Sequence, residues 1–179
     1  AVITICLALG IQRMVKKNAL VRTLPSAETL GSVTTICTDK TGTLTHNQMT
    51  VTKLWANHLT YQVTGSGYEP RGTFLLDNQV SSPKPLQQLL TVGLLCGNVK
   101  FSGTNIRREV IGDPTEAALI VSAEKAGLNA VELNKKFPRT DEIPFSSERK
   151  MMTTIHGKVS YTKGAPDLVL NRCSKIMIE

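Results

Sequence analysis

Asp39-Lys40-Thr41-Gly42-Thr43 follows directly on Val33-Thr34-Thr35-Ile36-Cys37-Thr38. The β-branched, apolar run predicts a buried strand over 33–38. Packing gives such a strand no reason to end in an acid, a base, two hydroxyls and a glycine. The carboxyl end of a strand in an open α/β sheet is where reacting ligands are held. A carboxylate placed there can serve as metal ligand, general base or nucleophile. Its neighbours favour the nucleophile, because carboxylates form aspartyl-phosphate intermediates and the next residues suit a phosphoryl group. Gly42 permits close backbone approach, Thr41 and Thr43 offer hydroxyl and N–H groups, and Lys40 adds positive charge. A carboxylate and a phosphate repel each other, so a cation, Mg²⁺, is expected to bring them together. Thr41 also occupies the place, two residues on, where many strand-tip aspartyl phosphatases carry a second aspartate for rapid hydrolysis. A phosphoaspartate at Asp39 would therefore persist, which suits a machine that uses it to drive a conformational change. The chain has no G-x-x-x-x-G-K-[ST], which excludes a P-loop mechanism.

The elements that must position such groups are legible in part. Residues 1–19 read as helix, followed by a short helical turn around Pro25 that ends at Gly31. Strands are predicted over 50–54 and, as antiparallel structure with a glycine-rich turn, over 59–76. Residues 81–85 read as loop, and 86–96 as a helix with Leu86, Leu89, Leu90 and Leu94 on one face. A second helix runs from Pro114 to Ala126, with Asp113 as N-cap and Gly127 closing it; Asn129 and Glu132 open a third. Strands over 150–155 and 159–162 meet at His156-Gly157. Pro166 starts a last short helix, and Lys175–Glu179 reads as a strand.

The 179 residues suffice for one ordinary domain, or one and part of another, and 41% hydrophobic content supports a packed core. A net charge of +7 favours an anionic partner such as a nucleotide phosphate or a lipid surface. Aromatic residues are only 4% and no basic run is interleaved with them, which speaks against a nucleic-acid platform. Cys6, Cys37, Cys96 and Cys173 are scattered without C-x-x-C, which disfavours a metal cluster or disulfide framework and fits a reducing compartment. The apolar start "AVITICLALGI" is too short to span a bilayer, yet it runs into Arg13, Lys16, Lys17 and Arg22. That order looks like the cytoplasmic end of a transmembrane helix, the alternative being a buried core helix.

"DKTGTLT" resembles the phosphorylation motif of the P-type cation-transporting ATPases. "GDPTEAAL" (112–119), "PFSSERKMM" (144–152) and "KGAPD" (163–167) resemble, in the same order, nucleotide-domain motifs of the type II members. The stretch from Lys16 to Val51 is most similar to calcium-pump-like transporters. The resemblance covers essentially the whole chain and implies an α/β and α+β fold. Residues 1–19 would be the end of a transmembrane helix and a cytoplasmic stalk. Residues 20–48 would begin a Rossmann-like phosphorylation domain of the haloacid-dehalogenase type, and 49–179 would form an antiparallel-sheet nucleotide-binding domain with flanking helices, incomplete at its C-terminus. Asp39 would be phosphorylated from ATP with Mg²⁺ at Asp39 and Thr41, and Lys40 would sit beside them. The parent protein would be a multi-pass membrane pump moving a cation, most plausibly calcium, with this segment on the cytoplasmic side. The segment alone is not expected to pump.

The same resemblance assigns a nucleotide site. Thr115 and Glu116 would face the adenine, Glu116 accepting from its amino group, and Phe145 would stack on the base. Lys163 would line the deep end, Lys150 would lie near the triphosphate, and Gly164 and Ala165 would let the base approach. Ser147 stands where some members carry an arginine, with Arg149 as the nearby substitute. Each residue also has a plainer reading. Glu116 could bond back to the Asp113 backbone as a capping box, Phe145 could be core, the lysines could be solvated charges, and His46, His58 and His156 read as turn or surface residues. Two other functions stay open: a soluble strand-tip-aspartate phosphatase, against which Thr41 argues, and a non-catalytic nucleotide-binding regulatory module, against which the intact "DKTGT" argues.

Overall fold

A computed structural model describes residues 2–104, 107–177 of the chain. They form two compact units, Ala1–His46 and Asn47–Glu179. The first unit carries α1 (Val2–Val15) and α2 (Leu24–Gly31), with Pro25 in the first turn of α2 where its missing N–H costs nothing. No described helix is long and apolar enough to cross a membrane. Val2, Ile3, Ile5 and Leu9 of α1 are exposed, so α1 is not the buried core helix that its sequence also allowed.

The strand predicted over 33–38 does not form. These residues are exposed and form no regular element. A strand is completed by a neighbour that satisfies its N–H and C=O groups, and the described part of this unit contains no second strand. β-Branched side chains favour a strand there but do not by themselves make a sheet.

The second unit opens with an antiparallel meander, β1 (Lys53–Ala56), β2 (Leu59–Val63), β3 (Phe74–Leu76) and β4 (Gln79–Ser81), paired in that order. Two tight hairpins build it. Asn57-His58 and Asp77-Asn78 all take positive φ, the geometry whose twist matches that of the flanking strands. A 3₁₀ turn over Lys84–Leu86 leads into α3 (Gln87–Leu95). Leu86, Leu90, Leu94 and Leu95 are buried, whereas Leu89, predicted on the same face, is exposed at 42%.

The hairpin β5 (Lys100–Thr104) and β6 (Arg107–Ile111) follows, then α4 (Pro114–Lys125) and α5 (Ala130–Lys136). The last sheet is antiparallel, β7 (Asp141–Ser146), β8 (Met151–His156) and β9 (Val159–Gly164), with β8 central and almost wholly buried. The short helix α6 (Pro166–Leu170) closes the described fold. Lys175–Met177 form no strand, and the rest of that predicted strand lies outside the described residues.

The core joins the two larger sheets through α3. Tyr61, Val63 and Phe74 from the meander, Leu90, Leu94, Leu95 and Cys96 from α3, and Met152 and Tyr161 from the last sheet form one buried cluster. A smaller cluster of Tyr68, Ala117 and Val121 seats α4 against the β5–β6 hairpin. His156 belongs to this interior rather than to the surface. It is 6% exposed, with Nδ1 bonded to the Phe137 carbonyl at 2.8 Å and Nε2 to Thr154 Oγ1 at 3.0 Å.

Candidate functional site

The start of α4 is built by Asp113. Its Oδ1 accepts from the Thr115 N–H at 2.7 Å and the Glu116 N–H at 3.3 Å, which satisfies two of the helix's orphan donors. Glu116 makes no bond back to Asp113, so the capping-box reading does not hold. Its carboxylate is turned into the domain instead. Oε1 pairs with Lys163 Nζ at 2.7 Å, and Oε2 accepts from the Asn98 N–H at 2.7 Å. The pair is 17% and 22% exposed, so it is neither deeply desolvated nor a loose surface contact. Both oxygens keep lone pairs for a further donor.

Hydrogen bonding chiefly from the Thr115 side chain, with help from the Thr115 and Glu116 N–H groups and the Lys163 charge, holds the Asp113 carboxyl below its usual range; burial opposes this. A carboxyl whose folded pKa is depressed adds stability above its unfolded pKa, about 3.9, and loses it as pH falls through the lower folded value. Asp113→Asn, which keeps a capping oxygen without the charge, is expected to flatten stability between neutral pH and that acid window. Asp113→Ala is expected to cost about 0.5–2 kcal/mol at neutral pH. Urea unfolding at stepped pH checks both.

Lys163 is placed by register. It faces Met152 across β8 and β9, and Met152 faces the break in β7. There the pairing shifts between Ile143 and Ser146, so Pro144 and Phe145 together oppose a single residue. Such a bulge re-aims side chains and leaves a position where proline's missing N–H is harmless. Phe145 therefore stands on an irregular edge across Met152 from Lys163, 62% exposed. It is not a core aromatic.

Behind it the chain reverses through Ser147–Lys150. Lys150 takes φ +49°, and its N–H donates to the Ser146 carbonyl at 2.7 Å. The Lys150 carbonyl accepts from the Ala165 N–H at 3.0 Å. A Cβ on Gly164 would overlap the Lys150 carbonyl and Met151, so this glycine is imposed by the approach of two backbones.

Arg149, the nearby arginine in place of the one absent at Ser147, is turned toward the sheet. Its Nη2 reaches Thr153 Oγ1 at 3.4 Å, and Thr153 faces Thr162 across the sheet. Alternation along the strands puts those threonines on the opposite face from Met152 and Lys163.

Of the residues singled out from sequence, the fold thus brings Glu116 and Lys163 into contact. Thr115 is next to them on α4, Gly164 and Ala165 follow Lys163 on β9, Phe145 is across Met152, and Lys150 is at the turn. Sequence reasoning missed Asn98, Gly97, Arg139 and Glu142, which lie around the pair without any motif spacing. An apolar groove of about 390 Å³ also borders Lys163 and Gly164, between α3, Leu119 of α4 and α6. Neither Glu116 nor Phe145 lines it.

Asp39, Lys40 and Thr41 belong to the first unit and are described by themselves. All three are exposed. Asp39 Oδ1 accepts from the Thr41 N–H at 3.1 Å, and Gly42, at φ +75°, helps turn the chain so that Leu44 N–H reaches the Lys40 carbonyl at 3.1 Å. No group of three or more His, Cys, Asp or Glu side chains suited to a metal occurs among the described residues.

The family profile described as P-type ATPase, cytoplasmic domain N, matches residues 85–179. The chain is 44% identical over 184 residues to the calcium-transporting ATPase of Bacillus subtilis, covering 98% of this chain and 21% of that protein. It is 42% identical over 190 residues to the cation-transporting ATPase pma1 of Synechocystis, covering 100% and 21%. With calcium-transporting ATPase 1 of Lactococcus lactis it shares 39% identity over 183 residues, covering 100% and 19%. The chain spans about a fifth of the length of these curated relatives.

Proposed function

Because the chain belongs to the P-type ATPases, we propose that it carries the phosphorylated aspartate and the ATP site of an ATP-driven cation transporter. Residues 49–179 are the nucleotide-binding domain, 20–48 open the phosphorylation domain, and 1–19 are the inner end of a membrane helix with its cytoplasmic stalk. Exposed Val2, Ile3 and Ile5 ahead of Arg13, Lys16 and Lys17 fit that last assignment. Calcium is the proposed ion, since two of the relatives named above are calcium-transporting ATPases.

The observation that carries the proposal is the Glu116–Lys163 pair at 2.7 Å with an exposed aromatic ring across Met152 from it. An adenine needs a flat partner, an acceptor for its amino group and a donor for its ring nitrogens. Phe145, Glu116 and Lys163 supply these in turn. Thr115, Gly164 and Ala165 flank the base, and Lys150 serves the phosphates.

Chemistry is assigned to Asp39. One carboxylate oxygen attacks the γ-phosphorus of ATP, the bond from that phosphorus to the bridging oxygen breaks, and ADP leaves. Lys40 lies beside the developing charge. Asp39 and Thr41 present hard oxygen donors in an exposed turn and fit Mg²⁺. When bound, Mg²⁺ supplies the charge neutralisation that lets two anions meet.

Phe145→Leu tests the nucleotide site. The ring is exposed, so the variant should melt within a degree or two of the parent. Its ATP affinity should fall about 5- to 150-fold, as the loss of one stacked base implies. Titration calorimetry beside thermal melts reads both. Unchanged affinity in the folded variant would remove Phe145 from the site.

A further inference from the structure

Glu116 is held by donors from two different parts of the fold, and only one of them, Lys163, is a side chain. The other is the Asn98 N–H, in a stretch between α3 and β5 that has no regular structure of its own. That stretch is fixed by Arg139. Its Nη2 donates to the Leu95 carbonyl at 3.0 Å and to the Gly97 carbonyl, and its Nη1 to Asn98 Oδ1 and to Glu142 Oε2 at 2.7 Å. Glu142 in turn accepts from Asn98 Nδ2 at 3.4 Å. Three of the four acceptors on Arg139 thus lie within residues 95–98. A planar guanidinium can serve several acceptors in fixed directions, which an ammonium cannot. The pinned segment passes close over the pair: a Cβ on Gly97 would sit 3.3 Å from Glu116 Oε2 and 3.6 Å from Lys163 Nζ. Arg139 itself bonds neither Glu116 nor Lys163.

We propose that Arg139 is a positioning residue for selection of the nucleotide base. By clamping residues 95–98 it aims the Asn98 N–H at Glu116 Oε2 and fixes the plane of the Glu116 carboxylate. This rests on the reading that Glu116 faces the base. With both Asn98 and Lys163 in place, the carboxylate presents its remaining lone pairs in one direction. Without the Asn98 N–H it swings toward the Lys163 ammonium, and its free lone pairs no longer point at an exocyclic amino group. A 6-amino purine donates to that carboxylate, whereas a 6-oxo purine meets it with a second acceptor, so the orientation of Glu116 sets the preference between them.

The test compares ATP with inosine triphosphate on the full chain by titration calorimetry, with thermal melts in parallel. The parent should bind ATP about tenfold more tightly than the inosine nucleotide, as one hydrogen bond to a charged group implies. Glu116→Gln, whose amide can also donate to a 6-oxo group, should bring the ratio close to one. Arg139→Lys keeps the charge and loses the fork; it should narrow the ratio at least about threefold, mainly by weakening ATP. Arg139→Ala should do the same where it folds, and Arg139→Lys decides the matter if it does not. A folded Arg139→Lys that weakens both nucleotides equally, or neither, overturns the proposal and leaves Arg139 a structural clamp. A ratio left at the parent value by Glu116→Gln overturns instead the reading that Glu116 faces the base.

Discussion

Asp39→Asn is expected to abolish the acid-stable, hydroxylamine-sensitive phosphoenzyme formed from ATP and Mg²⁺ in a full-length pump carrying this segment. The loss should be complete, because an amide oxygen is too weak a nucleophile to displace ADP. The fold should not register the change. Asp39 is exposed, and the bond it accepts from the Thr41 N–H at 3.1 Å can be accepted equally by the amide oxygen of asparagine. Melting temperature and nucleotide affinity should therefore stay at parent values while label incorporation disappears. Radioactive label that survives the substitution would assign the phosphate to another residue. Thr41 makes a second point here. With a threonine where a fast phosphatase carries an acid, the parent phosphoenzyme should outlast a gel run in acid.

Leu95→Ala should produce the largest loss of stability among single changes near the site. Leu95 is 1% exposed and sits where α3 meets the last sheet, in the cluster with Cys96, Met152 and Tyr161. Truncating it removes the transfer energy of the side chain and leaves a cavity, together about 2–5 kcal/mol. That is a large fraction of the ~5–15 kcal/mol that separates folded from unfolded states in domains of this kind. Leu89→Ala, on the same helix but 42% exposed, should cost less than about 1 kcal/mol. Urea unfolding with unchanged slope measures the difference. The Leu95 carbonyl also accepts from Arg139 and, at 3.4 Å, from Thr154 Oγ1, so loosening this position should reach the site as well. Equal losses for the two leucines would contradict the core described above.

The sequence was most informative where local physics decides structure. Asp113-Pro114 begins a helix because an Asx cap and a pre-set φ need no distant partner, and the helix starts there. Asn129 caps α5 for the same reason. It was least informative where pairing decides. The run over 33–38 has strand composition, yet no described strand lies beside it in its unit, and it stays coil. Pro144 lies inside a strand that the sequence did not announce, because the bulge at 144–145 absorbs the missing donor. Leu89 fitted the helical period of Leu86, Leu90 and Leu94, but which arc of α3 is covered depends on how two sheets close over it. His156, next to a turn glycine, read as surface, although its partners, Phe137 and Thr154, come from the packed fold. At the candidate site, motif residues named Glu116 and Lys163, and the structure adds why they meet. Asn98 and Arg139 carry no spacing signal at all, since Asn98 reaches Glu116 through its backbone N–H and Arg139 holds the Leu95 and Gly97 carbonyls, groups that any sequence would possess.

The close approach of β8 to β9 at Gly164 has an evolutionary consequence. Any side chain at that position would strike the Lys150 carbonyl and Met151, so selection for folding alone holds the residue to glycine. The glycine of "KGAPD" would persist in a descendant that no longer bound any nucleotide. Phe145, exposed at 62% on its bulge, has no such protection and would be free to drift.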